Sequence, residues 1–301
     1  MTVLCRGFML LAMVLSRALG AAEETIEQKA MLQMLLPPPG SIVKPVWPPG
    51  YEHSENSIKM ELVHIPPGSY LCYGNDITAT FLFPKPKGFQ VTIEKEFYIG
   101  AYEVTQEQYL KVMEINPGIF KMIPEQPVNK VSWNDAMEFC RKLSDLPAEK
   151  AAGRVYSLPS EREWQFAARA GSKELFTYGT SDELTIATVA ICRDPYTDIV
   201  PQGVSPVGSK LPNLWGLYDV LGNVWEWVLD AWPADAPPEV VPASTGSAAL
   251  TKGENRVIVG GGWDNDFRMC NLAARYSAPP SRKADNIGFR VRCLITAPAA
   301  K

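Results

Sequence analysis

Histidine is almost missing from this 301-residue chain: His53 and His64 are the two that occur, both toward the N-terminus. A histidine-built iron or zinc centre therefore has too few ligands. A Ser-His-Asp relay is also disfavoured, because His64 lies in an alternating, strand-like run that gives it a structural place. No basic run occurs and the formal net charge is -4, so nucleic-acid binding has no electrostatic support. Past residue 22 no stretch is apolar and long enough to span a bilayer, and no transmembrane segment is expected in the mature chain. No internal repeat is found.

Proline (26) and glycine (22) are plentiful, which points to a loop-rich fold rather than a helical bundle. Residues 1–22 read as a secretory signal: Arg6, a short apolar core from Phe8 to Leu15, and the small residues Ala18 and Gly20 at a cleavage position. The expected location is therefore exported, periplasmic or extracellular. Removal of Cys5 with the signal leaves Cys72, Cys140, Cys192, Cys270 and Cys293, an odd number in a compartment where disulfides persist. Residues 23–58 read as a short helix and a Pro-rich linker, residues 59–296 as the main domain, and 297–301 as a tail.

Within the main domain, 60–68 and 69–73 read as strands. Residues 89–99 alternate as one half-buried strand should. Three helices carry start signals. Thr105 with Gln108 forms a capping box for 106–114. Ser132 or Asn134 caps a helix to about Leu146, stopped by Pro147. Ser160 with Glu163 opens 161–170, which ends at Gly171. Arg256–Val259 and Ile287–Cys293 are the last strand candidates.

The stretch Leu214–Trp232 (LWGLYDVLGNVWEWVLDAW) combines four tryptophans with Asp219, Asn223, Glu226 and Asp230. Carboxylates among aromatic rings must be paired, hydrogen-bonded or bound to a cation. Asp219, the turn at Gly222 and Glu226 offer hard oxygen ligands, which suit Ca²⁺ better than Zn²⁺. The alternative is an ordinary tight turn capped by Asp219 and Asn223.

Taken in order, LVHIPPGSYLCYG, YIGAYEVTQEQYLKVM, QPVNKVSWNDAMEFCRKLS, YSLPSEREWQFAARAG, SPVGSKLPNLWGLYDVLGNVWEWVLDAW, RVIVGGGWDN and LAARYSAPPSRKADNIGFRV resemble the sulfatase-modifying-factor, or formylglycine-generating-enzyme, family. The likeness covers roughly residues 60–293. It implies an α+β domain with little regular secondary structure, related to the C-type lectin fold. It also implies calcium held by Asp219, Glu226 and the backbone carbonyls of Gly222 and Val224. A second family calcium site would fall near 190–201, where Asp194 or Asp198 could substitute for a pattern that is not reproduced. A disulfide between Cys140 and Cys293 is implied as well, although Cys293 stands two residues late.

Family members oxidise a cysteine of a target sulfatase to formylglycine with O₂ and copper held by two cysteines. Cu(I) is soft and prefers thiolates. Here the corresponding segment reads VGGGWDNDFRMC: counted from the Gly-Gly pair, Asn265 falls at the first cysteine position and Cys270 at the second, whereas anchored on Ala273–Arg275 Cys270 matches neither. The expectation is thus a calcium-stabilised binding or structural module with an unidentified protein or peptide partner. The alternative is an oxidase acting on a sulfatase, with copper and Cys270 as the sole thiol. Trp263, Asp264, Asn265, Asp266, Arg268, Arg275 and Arg290 are candidate pocket residues, although Arg275 and Arg290 read equally well as partners of buried acids such as Glu226.

Overall fold

Three helices begin where a side chain can satisfy the free N–H groups of a first turn. In the computed structural model these are α1 (Gln106–Met113), α2 (Trp133–Asp145) and, after a short α3 (Pro147–Ala151), α4 (Glu161–Arg169). Thr105, Ser132 and Ser160 are their caps, and each forms the full reciprocal capping box. Pro147 does end α2, but as a residue preset for a first helical position it also starts α3. The described residues are 52–72, 88–118, 123–173, 188–193, 201–232 and 254–296. The signal, the 23–36 helix, most of the linker, Asp194, Asp198 and the tail lie outside them.

Strands in chain order are β1 (His53–Glu55), β2 (Glu61–Ile65), β3 (Gly68–Cys72), β4 (Phe89–Ile93), β5 (Phe97–Gly100) and β6 (Arg154–Ser157). Then follow β7 (Ala190–Ile191), β8 (Leu221–Gly222), β9 (Trp225–Ala231) and β10 (Arg256–Val259). The last are β11 (Arg275–Ala278), β12 (Ile287–Gly288) and β13 (Arg292–Ile295). An antiparallel sheet runs β1-β2-β5-β13-β6, and a second runs β11-β10-β9-β12 with its β12/β9 pair parallel. Because β1 already pairs with β2, the folded unit begins upstream of the boundary expected at residue 58.

Two expected single strands are each divided between sheets. The 89–99 run breaks at Glu94, Lys95 and Glu96, which are exposed, so β4 pairs with β3 while β5 enters the large sheet. The 287–293 run breaks at Phe289–Val291, and its two ends join different sheets. Residue 290 at that break is a fully buried arginine.

Strand β9 sits between two hydrophobic cores and shows why the period of two matters. Trp225 and Trp227 face the core that holds Tyr109, Phe139 and Phe289. Val228 faces the other, with Trp164, Phe166 and Val257. Glu226 also points to that second side, buried. Trp133 Nε1 donates to the Val228 carbonyl at 2.8 Å and Trp227 Nε1 to the Val131 carbonyl at 3.0 Å, so the indoles bury without orphaned donors. Helix α4 carries Trp164 to this place, and its cap is the first testable element. Ser160→Ala removes the acceptor for the Glu163 N–H and should cost about 1 kcal/mol in chemical denaturation.

Candidate functional site

The chain reverses twice around the Trp-rich stretch by using left-handed backbone at Asp219 (φ 54), Gly222 (φ 85) and Asn223 (φ 58). Glycine is required at 222, because a Cβ there would stand 2.1 Å from the Ile191 carbonyl oxygen. Asn223 then ties three segments together. Its N–H donates to the Ile191 carbonyl at 2.7 Å, its Oδ1 accepts from Ser205 N at 3.0 Å, and its carbonyl accepts from Trp263 N at 2.9 Å. The loop is thus held against the 260–270 segment and the end of β7.

Behind the loop lies a buried charge cluster: Glu103, Asp219, Glu226 and Arg290. Arg290 donates to Glu226 twice at 2.7 Å, through Nε and Nη2. Its other N–H groups donate to the carbonyls of Gly100 (3.1 Å), Ala101 (3.3 Å) and Tyr218 (2.9 Å). The guanidinium's five donors are all used. Burial works to strip its proton, yet the charge and hydrogen bonds of Glu226, with the charges of Glu103 and Asp219, together outweigh that and raise its pKa. Glu226 Oε2 also accepts from Trp164 Nε1 at 2.8 Å.

Asp219 and Glu103 are satisfied far less. Asp219 Oδ2 accepts from Gly208 N at 2.6 Å, but among the described residues its Oδ1 has no hydrogen-bond partner, and neither oxygen of Glu103 has one. Burial pushes the Asp219 carboxyl up to about 6, against the pull of the Gly208 N–H and Arg290. Burial, and then the charge of Asp219, push Glu103 well above the usual carboxylate range. Orphaned buried carboxylate oxygens of this kind fit a hard cation. Among the described residues no three His, Cys, Asp or Glu side chains are grouped so as to hold a metal ion on their own. The acids with unused oxygens are thus Asp219 and Glu103. Glu226, expected as a ligand, already has both oxygens engaged by Arg290 and Trp164. Glu103 was not among the residues singled out from sequence, yet a signal existed: Phe97, Ile99 and Ala101 bury alternate positions, and Glu103 continues that parity.

The remaining expected pocket residues fall into two places. Arg275 is on the edge strand β11, where Nη2 donates to Glu161 Oε2 at 2.9 Å and the guanidinium covers the Trp232 ring. Trp263, Asp264, Asn265, Asp266 and Arg268 line the loop that carries Cys270. Asn265 Oδ1 accepts from Gly262 N at 2.9 Å, and its own N–H donates to the Gly262 carbonyl at 3.0 Å. Both Asp264 oxygens accept from Asn286 Nδ2 at 3.1 Å. Trp263 Nε1 donates to the Asp285 carbonyl at 3.4 Å. Asp266 caps the 3-10 turn Phe267–Met269 by accepting from Arg268 N at 3.0 Å, and Arg268 projects outward.

Glu161 carries a pH signature. Burial lifts its pKa to about 7, partly offset by Arg275 and reinforced by Asp230. The folded protein thus holds this proton more tightly than an unfolded chain, with an ordinary value of 4.5. Its stabilising contribution is complete below about 4.5 and is lost as pH rises through about 7. Denaturation midpoints should fall over that window by the equivalent of about 1–2 kcal/mol, discounted for solvent at the edge of the pair. Glu161→Gln should flatten this slope.

The cysteines depart from expectation. Among the described residues no disulfide joins Cys140, Cys270 and Cys293. The expected Cys140–Cys293 bond is not formed, although both lie in the first core. Cys293 Sγ instead approaches the Leu294 carbonyl at 3.5 Å. Cys72 Sγ points to Gln165 Oε1 at 3.9 Å. Cys270, which had no evident partner in the sequence, lies beside Cys192 and donates its S–H toward that sulfur. That contact, together with burial, raises its pKa well above the usual thiol value.

Comparison with known proteins gives these elements a context. Residues 51–294 match the Sulfatase-modifying factor enzyme 1-like domain. Chaperone protein LppX of Paenibacillus barcinonensis is 31% identical over 59% of this chain and 73% of its own length. Formylglycine-generating enzyme of Thermomonospora curvata is 35% identical over 56% of this chain and 55% of its own. Inactive C-alpha-formylglycine-generating enzyme 2 of Bos taurus is 33% identical over 55% and 50%. The chain therefore spans about half the length of the two formylglycine-type relatives. Among solved structures, PvdO from Pseudomonas aeruginosa superimposes with a TM-score of 0.64 at 29% identity, covering 85% of this chain and 99% of that one.

Proposed function

Because the chain belongs to the family of sulfatase-modifying factor enzyme 1-like domains, we propose that it is a calcium-stabilised binding or structural module that has given up the family's cysteine oxidation. The observation that carries this reading is Asn265. It stands where the resemblance implies the first copper thiolate; its side-chain Oδ1 accepts from Gly262 N, and its backbone N–H donates to the Gly262 carbonyl. An amide is a hard ligand and supplies nothing that Cu(I) prefers. A relative described as inactive and another described as a chaperone are consistent with a non-oxidising role. Calcium would be held by Glu103, Asp219 and the carbonyls of Gly222 and Val224, and would supply the positive charge that the buried carboxylates lack. In this reading the chain is exported through its N-terminal signal and takes a protein or peptide partner on its loop-rich surface. Among the described residues no helix is long and apolar enough to cross a membrane.

One observation favours a second reading, an oxidase acting on a sulfatase cysteine. Cys192 offers a thiol beside Cys270 from outside the expected motif, so two soft ligands exist after all. Incubation of the protein with copper, O₂ and a cysteine-containing sulfatase peptide, followed by mass analysis, separates the two. The module reading expects an unchanged peptide. Turnover of the peptide, or stoichiometric Cu(I) uptake abolished by Cys270→Ser, would overturn it.

A further inference from the structure

Two segments distant in sequence meet behind the Trp-rich loop, and each brings one cysteine. The end of β7 carries Cys192, half-buried, and the 260–270 loop carries Cys270, fully buried. Backbone hydrogen bonds on either side of Cys192 tie it to the loop that leads to Cys270: Arg193 N donates to the Asn265 carbonyl at 2.9 Å, and Asn223 joins Ile191 to Trp263. Gly261 makes room for Cys270, since a Cβ there would stand 2.7 Å from its Sγ. The Cys270 thiol also reaches the Gly262 carbonyl at 3.7 Å. Both side chains pack in the second core, whereas Cys140 and Cys293 belong to the first, and Cys72 is turned to Gln165.

From this geometry we propose that Cys192 and Cys270 are a redox pair that closes to a reversible disulfide, stapling the end of β7 to the 260–270 loop. The oxidant is a small-molecule disulfide of the glutathione class. Cys192, the more accessible sulfur, loses its proton and attacks one sulfur of that disulfide, releasing one thiolate and forming a mixed disulfide. Cys270 then loses its proton and attacks Cys192 Sγ, releasing the second thiolate. One S–S bond forms and one breaks, the two cysteines are oxidised by two electrons, and the glutathione disulfide becomes two thiols.

The surroundings favour the neutral, bonded product. Asp264 and Asp266 lie near enough to oppose a charge on Cys270. A thiol whose ionised form is disfavoured reacts slowly, so closure should take hours rather than seconds. Once closed, the bridge joins two segments that both hydrogen-bond to Asn223. It would therefore hold the Trp-rich loop from behind, and it depends on neither reading of the function.

The test uses the full chain, reduced and then equilibrated with oxidised glutathione. Remaining thiols are alkylated in denaturant without reductant, and peptides are mapped by mass. The expected result is a loss of two hydrogens from the protein and one linked pair of peptides containing Cys192 and Cys270. Dithiothreitol should reverse the linkage, and Cys72, Cys140 and Cys293 should all be alkylated. In Cys192→Ser the linkage should vanish, leaving Cys270 alkylated. Recovery of both cysteines in alkylated form after equilibration, a persistent mixed disulfide on Cys192, or either cysteine joined to any of the other four would overturn the proposal. The wild-type map decides the matter even where the variant fails to fold. The oxidised protein should also melt several degrees above the reduced one, because the bridge closes a long loop.

Discussion

Arg290→Met should produce the largest stability loss of any single substitution in this protein, at least about 3–5 kcal/mol, and is expected to leave little folded material. The substitution removes five hydrogen bonds at once, two to Glu226 and three to the carbonyls of Gly100, Ala101 and Tyr218. It also leaves Glu103, Asp219 and Glu226 buried without the cation that faces them. Methionine fills much of the volume, so the loss reports on charge and hydrogen bonding more than on a cavity. A double substitution, Arg290→Met with Glu226→Leu, should recover part of the loss, because an apolar pair can replace a buried ion pair where a lone charge cannot. Recovery should be incomplete, since Trp164 Nε1 then loses its acceptor. A double-mutant cycle from urea melts measures this coupling. A loss under about 1 kcal/mol for Arg290→Met would mean that the cluster is not held by the guanidinium.

The features legible in the sequence are those decided within a few residues. Thr105, Ser132 and Ser160 announce helices because a cap and its Gln, Asp or Glu partner sit three positions apart. What could not be read is what distant segments decide together. The alternation of 89–99 is real on both halves, but the exposed Glu94–Lys95–Glu96 turn sends them to different sheets. The 287–293 run breaks because Arg290 must reach Glu226 and three carbonyls across the core. The reading of Arg275 and Arg290 as partners of acids holds, with Glu161 and Glu226 respectively. Cys192 gives no local sign of its neighbour, because Cys270 arrives beside it only through the pairing of β7 with β8 and the bonds around Asn223.

Calcium should raise the melting temperature of the wild-type protein, and Glu103→Gln should abolish that response. With their acids ionised, Glu103, Asp219, Glu226 and Arg290 carry a formal excess of two negative charges in a space that excludes water. A dication cancels that excess. An ion that binds the folded state alone stabilises it by about 4 kcal/mol at a thousandfold excess over its Kd. Mg²⁺ should do much less, because it dehydrates reluctantly and demands octahedral geometry that two acids and irregular carbonyls do not offer. The Glu103→Gln variant gives a signature of opposite sign in two conditions. In chelator it should be as stable as wild type or more so, because an unpaired buried carboxyl has been replaced by a neutral amide. In calcium it should be the less stable of the two. Asp219→Asn should weaken the response less than Glu103→Gln, since an amide oxygen remains at a position already oriented by the Gly208 N–H. Thermal melts of wild type and both variants, with calcium and with chelator, decide the point. No shift in the wild-type melt up to millimolar calcium, or an undiminished shift in Glu103→Gln, would remove calcium from this loop and leave the orphaned oxygens to be explained by protonation alone.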